Sequence, residues 1–208
     1  MDSQPQAAPT QPKRSIAPLL AVLAVSLAPV VGAFVVYFNP QWWPADSTNY
    51  GQLLTPQRPM PADAALTLTT LDGKPFELSS LKGEWLLVAS DVAQCDEACA
   101  RKLFILRNSH ASQGKNVERL TRVWFILDDE PVPEKVLEAY KGTVMLRARR
   151  EQLEPFLVQG TPHAAEGLLG PMWIIDPNGN LILQYPDQAD PVRVRKDISK
   201  LVYNSRIG

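Results

Sequence analysis

The segment SDVAQCDEACARKL, residues 90 to 103, holds both cysteines of a 208-residue chain, Cys95 and Cys99. It follows a short apolar run, WLLVAS (85 to 90), that reads as a buried strand. It leads into ACARKLFILRNSHASQG (98 to 114), where Leu103, Ile105 and Leu106 give a helix an apolar side before Gly114 ends it. Cysteines four apart can form a disulfide, chelate a soft metal, attack a substrate or act as small apolar fillers. In a regular helix the Cβ atoms of residues i and i+4 lie about 5–6 Å apart, against about 3.8 Å in a disulfide. An unstrained bridge therefore requires Cys95 to lie before the helix. The unpaired N–H groups of a helix N-terminus favour thiolate over thiol, an effect that Asp96 and Glu97 partly oppose. Those two acids and Gln94 also make the segment polar, which argues against two inert buried cysteines.

Outward from this junction the periods alternate. LTLTTLDGKPFELSSL (66 to 81) alternates apolar and polar residues on both sides of Asp72-Gly73 and predicts a hairpin. RVWFILDD (122 to 129) is a second buried strand, followed by a helix with Pro133 in its first turn. After TVMLRA (143 to 148) come a short helix around REQLEPFLV and a second hairpin, MWIIDPNGNLILQYP (172 to 186), turned by Asn178-Gly179. Ile198, Leu201 and Val202 stand at helical spacing in a closing amphipathic helix. Hairpin, strand, helix, strand, helix, strand pair and helix, with a dithiol where the first central strand meets its helix, is the order of an α/β, thioredoxin-like domain.

The compartment follows from residues 15 to 38, SIAPLLAVLAVSLAPVVGAFVVYF, an uncharged run of 24 residues. Roughly 20 helical residues cross a bilayer core, and membrane helices tolerate prolines such as Pro18 and Pro29. VGA at 31 to 33 resembles a signal-peptide cleavage site, but the run stays apolar through Phe38, beyond the about 7–15 residues of a signal h-region. A single transmembrane helix is expected. Lys13 and Arg14 precede it, whereas Trp42, Trp43 and Tyr50 follow without a positive charge. The positive-inside rule then places residues 1–14 in the cytoplasm and the rest outside it, in a bacterial-type inner membrane with a periplasmic domain. In such a space a close cysteine pair is a disulfide, a redox couple or a copper site. Residues 39–62, with Pro40, Pro44, Pro56, Pro59 and Pro61, read as an extended tether, and 63–208 as the folded domain. Setting aside Lys13, Arg14 and Asp2 leaves 19 basic and 21 acidic residues outside the membrane, so no electrostatic case exists for nucleic acid.

The segments SDVAQCDEACARKL, RVWFILDDEPVPEKVLEAY and MWIIDPNGNLI resemble the SCO/SenC family, membrane-anchored thioredoxin-like proteins of cytochrome c oxidase assembly, over most of residues 64 to 203. The resemblance implies a Cys-x-x-x-Cys pair that exchanges disulfides and, with a distant histidine, binds copper for the oxidase. The implied partners are the oxidase copper subunit or its copper chaperones. Two positions depart from that family. Ala100 stands where a proline follows the second cysteine, and Leu168 stands where the third ligand is expected.

The candidate site is therefore Cys95 and Cys99, catalytic in exchange, with His163 as a substitute copper ligand from the loop QGTPHAAEGLLGP. If Leu168 occupies the family's histidine position, its side chain should face the dithiol. His110 reads as a surface residue of the helix after the cysteines, Met172 and Met145 as core packing, and Asp128, Asp129 and Glu130 as a solvated acidic loop. Pro171 stands near the place where thioredoxin-like reductases hold a cis-proline. Three functions remain open: thiol-disulfide exchange, copper delivery by Cys95 and Cys99 with or without His163, and a non-catalytic assembly partner stapled by its disulfide.

Overall fold

A computed structural model describes residues 16–42 and 49–207. Lys13, Arg14, Trp43 and the expected cytoplasmic segment 1–14 lie outside the described residues. The chain divides into two compact units, Met1–Ser47 and Thr48–Gly208.

The first unit carries helix α1 (Ala17–Tyr37), with Pro18 in its first turn and Pro29 inside it. Its 21 residues, at 1.5 Å each, span about 31 Å, the thickness of a bilayer core. Its mean hydropathy is 2.6 and none of its residues is buried. A helix of this length and hydropathy fits a single-pass membrane anchor.

The second unit is built on an eight-stranded sheet whose neighbours run, edge to edge, β1 (Gln52–Pro59), β8 (Asn180–Tyr185), β7 (Met172–Ile175), β4 (Trp85–Asp91), β5 (Leu120–Ile126), β6 (Val144–Ala148), β2 (Leu68–Thr70) and β3 (Pro75–Phe76). Its centre is β4, parallel to β5, which is parallel to β6. On the other side β7 runs antiparallel to β4 and turns into β8. The first predicted hairpin is β2 with β3. Helices α2 (Glu97–Ala111), α3 (Glu134–Ala139), α4 (Arg150–Leu157) and α5 (Pro191–Asn204) connect and close the layers. This is the expected thioredoxin-like α/β architecture.

The period of two along the strands divides the core into two apolar layers. Leu87, Ala89, Trp124 and Ile174 face α2 and α5. Their neighbours Leu86, Val88, Phe125 and Trp173 face α4 and the 3-10 turn at Leu78–Leu81. Strand β4 is buried along its whole length, as parallel strands covered on both faces are. Helix α5 begins where Asp190 accepts hydrogen bonds from the N–H groups of Val192 (2.8 Å) and Arg193 (2.9 Å), with Pro191 in the first turn.

The tether is shorter than expected, because Gln52–Pro59 forms β1 at the edge of the sheet, antiparallel to β8. An edge strand tolerates proline, since one row of its backbone groups needs no partner in the sheet, and the register shifts between Leu53 and Arg58. Two anchors hold it. Arg58 donates to carbonyls in the last turn of α4, Pro155 (3.0 Å) and Phe156 (2.5 Å), and just beyond it to that of Gln159. Ahead of it, the N–H groups of Tyr50 and Gly51 donate to the buried carboxylate of Asp197 at 2.7 and 2.8 Å. Gly51 lies against β8 so closely that a Cβ would sit 2.2 Å from Leu183 Cδ2 and 2.7 Å from Tyr185 Cε1. Gly51→Ala is expected to destabilise the domain by about 1–3 kcal/mol through overpacking, read as a lowered denaturation midpoint. An unchanged midpoint would mean that β1 docks more loosely than this.

Candidate functional site

Cys95 and Cys99 form a disulfide, with Cα atoms 5.0 Å apart. Cys95 lies ahead of α2, as the spacing argument required, and adopts a left-handed backbone conformation with φ of 45°. Its N–H donates to Val92 O at 3.2 Å, closing the turn that carries it. Asp96 is the N-cap of α2, and its carboxylate accepts from the Cys99 N–H at 3.0 Å. One of the acids that oppose thiolate formation is thus what starts the helix. The two sulfurs are unequal: Cys99 is fully buried in the layer under α2, whereas Cys95 is partly exposed at its rim.

Asp128 is a correction to the solvated acidic loop. Its carboxylate accepts from the Ala93 N–H at 3.1 Å, which ties the cysteine turn to the end of β5. Arg147 in turn donates to the carbonyls of Asp128 (2.6 Å) and Glu130 (3.0 Å), while the Asp129 and Glu130 side chains stay exposed.

Beneath the turn lies an ion pair that sequence reasoning missed. Lys102 Nζ is 2.7 Å from Asp91 Oδ2, with side-chain exposures of 7% and 8%. The same ammonium donates to Ser90 O (2.9 Å) and to Leu169 O, and Ser90 Oγ donates to Leu168 O (2.6 Å). The end of β4, the first turns of α2 and the loop before β7 are thereby locked together behind the disulfide. A signal existed in the sequence: Cys99, Lys102, Leu103 and Leu106 share one helical stripe, so Lys102 falls on the buried side.

The expected third ligand is not brought to the sulfurs. Leu168 is buried, but in the layer on the other face of the sheet, with Val88 and Trp173, rather than facing the dithiol. The side-chain placement is therefore the reverse of the expectation. His163 is held elsewhere. Its Nδ1 is paired with Glu166 Oε1 at 2.8 Å and its N–H donates to Gln184 Oε1 at 3.1 Å. Among the described residues no group of three or more His, Cys, Asp or Glu side chains is placed to hold a metal ion. The donors do not fit a copper centre of two thiolates and an imidazole. After reduction they offer two thiolates alone, which only a soft, low-coordinate ion such as Cu(I) accepts. Met172 packs in the same core layer as Cys99, and Met145 packs against that layer, as expected. The only cis peptide bond among the described residues is Thr55-Pro56, so Gly170-Pro171 is trans.

No curated protein matches the chain. Among solved structures, a thiol:disulfide interchange protein from Bacteroides sp. is 18% identical with a TM-score of 0.52, covering 72% of this chain and 91% of its own. Copper-bound ScoI of Arabidopsis thaliana is 16% identical with a TM-score of 0.51, covering 75% and 99%. Apo Sco1 of Thermus thermophilus is 18% identical with a TM-score of 0.52, covering 77% and 99%. These likenesses show a shared fold, and SCO proteins are among those that share it. The family described as transmembrane-like, thioredoxin-like, C-terminal domain matches residues 85–205. That stretch is more than half of the chain and runs from β4 to α5, and the chain belongs to this family.

Proposed function

We propose that the chain is a membrane-anchored thiol-disulfide exchange protein that works through Cys95 and Cys99 on the exported, periplasmic side of an inner membrane. The observation that carries this reading is the inequality of the two sulfurs. A partly exposed Cys95 is bonded to a fully buried Cys99 at the start of a helix. In the reduced pair the Cys95 thiolate attacks a partner disulfide, forming a mixed disulfide and releasing one partner thiolate. The Cys99 thiolate then attacks Cys95 Sγ, closing the Cys95–Cys99 bond and releasing the second partner thiolate. Two electrons pass to the partner, and the reverse sequence returns them. The resemblance to SCO/SenC proteins supports a partner in cytochrome oxidase copper handling, either the copper subunit or its chaperones.

Copper delivery is the second reading, favoured by the copper bound to the Arabidopsis neighbour. Here it would rest on two thiolates, without His163. The test is trapping with a disulfide-bearing thiol protein as probe. The Cys99→Ser variant of the full chain in detergent is expected to accumulate a mixed disulfide through Cys95, whereas Cys95→Ser forms little. Equal trapping by both variants would remove the roles assigned here. Retention of full biological activity after double Cys→Ser substitution would make the bridge a structural staple.

A further inference from the structure

At the far end of the α2 layer a guanidinium is buried without an anion to meet it. Arg122 follows the alternation of β5 onto the same face as Trp124 and Ile126, and it is 7% exposed. Its one side-chain hydrogen bond runs from Nη2 to Lys141 O at 3.1 Å, and its buried Nε has no acceptor. The ion pairs among the described residues are Lys74–Asp72, Lys102–Asp91 and His163–Glu166, so no carboxylate pairs with Arg122. The charge that acts on it is positive, the Arg107 guanidinium. His110, one turn further along α2, lies close enough to feel Arg122, and its lowered pKa keeps the ring neutral at neutral pH. Burial and Arg107 lower the Arg122 pKa, and burial and Arg122 lower that of His110. Arg107 is fixed in place by its bond to Ala139 O (3.0 Å) and by the rings of Phe104 and Tyr140. Gly142, at φ +82°, closes over the guanidinium, since a Cβ there would lie 2.9 Å from Nη2.

Buried charges are ordinarily paired, because a charge removed from water loses its hydration. We propose that Arg122, with Arg107 and His110 beside it, is a binding site for a phosphate group, either free or carried by an anionic lipid head group. A phosphate has enough oxygens to accept from the Arg122 guanidinium, from the Arg107 cation and from a ring N–H of His110 at once, and arginine forks match its geometry. The site is separate from the disulfide. His110 is eleven residues after Cys99 along α2, about 16 Å.

The test uses the full chain in neutral detergent at low chloride, followed by thermal denaturation and calorimetry. Inorganic phosphate is the probe in one arm, and mixed micelles with phosphatidylglycerol against phosphatidylcholine in the other. A saturable rise in midpoint is expected, as for any ligand of the folded state. A rise with free phosphate assigns the ion as the source, and a rise only with phosphatidylglycerol assigns the head group. Arg122→Gln is expected to weaken the effective arm at least about tenfold, the scale of a charge-assisted bond. No saturable rise in either arm, or the same rise in Arg122→Gln, overturns the site. If that variant fails to fold, the double variant Arg107→Gln/His110→Gln decides: an unchanged affinity in it overturns the proposal.

Discussion

Lys102→Met is expected to cost about 3–5 kcal/mol of stability, the range for breaking a buried ion pair from one side. The reason is the company the ammonium keeps. Asp91 is 8% exposed and would keep its carboxylate without a counter-charge, while the carbonyls of Ser90 and Leu169 lose their donor. Methionine replaces the length of the lysine stem, so lost packing contributes little. The double variant Lys102→Met/Asp91→Leu removes both charges and should recover most of the loss. Denaturant midpoints of the four proteins measure the coupling. A Lys102→Met cost under about 1 kcal/mol would place the pair in water, where exposed bridges have that worth. The variant should also alter exchange at the disulfide. The loop at Leu168 and Leu169 is fastened to the cysteine helix through this one side chain and through Ser90.

That pair shows where the sequence was legible and where it was not. The architecture could be read because strand and helix periods alternate cleanly from residue 66 onward, and because a strand running into a cysteine turn has few solutions. Strand β1 was hidden by Pro56 and Pro59, which resemble linker residues until their place at a sheet edge is known. Spacing left several chemistries open for the cysteine pair, but it did require Cys95 ahead of the helix for an unstrained bridge, which is where it lies. Lys102 and Asp91 could not be paired, since ten residues of chain lie between them and only the docking of α2 on β4 joins them. Asp128 looked like a solvated acid, yet a backbone N–H from another strand end gives it its role. Counting along the chain located Leu168, but not the face of the sheet its side chain would join.

The last of these sets a second large effect. Leu168→His would be expected, from position alone, to complete a copper site with Cys95 and Cys99. The structure instead puts the side chain at this position among Val88 and Trp173, across the sheet from Cys99. An imidazole there loses the packing of a fully buried leucine and adds a polar ring without a partner. The expected cost is about 2–5 kcal/mol. Cu(II) affinity should stay within about threefold of wild type, and no thiolate-to-copper charge-transfer band should appear. His163→Ala should leave copper behaviour as it is, because that imidazole is engaged by Glu166. The paired readout separates two accounts of the loop. If Leu168→His keeps its stability, raises Cu(II) affinity by about tenfold or more, roughly 1.4 kcal/mol, and gains the band, then the loop can turn residue 168 toward the sulfurs. Lost stability without a copper signal means that the sheet itself stands between this position and the dithiol. The reduced pair then offers a metal ion two thiolates without the nitrogen donor that Cu(II) needs.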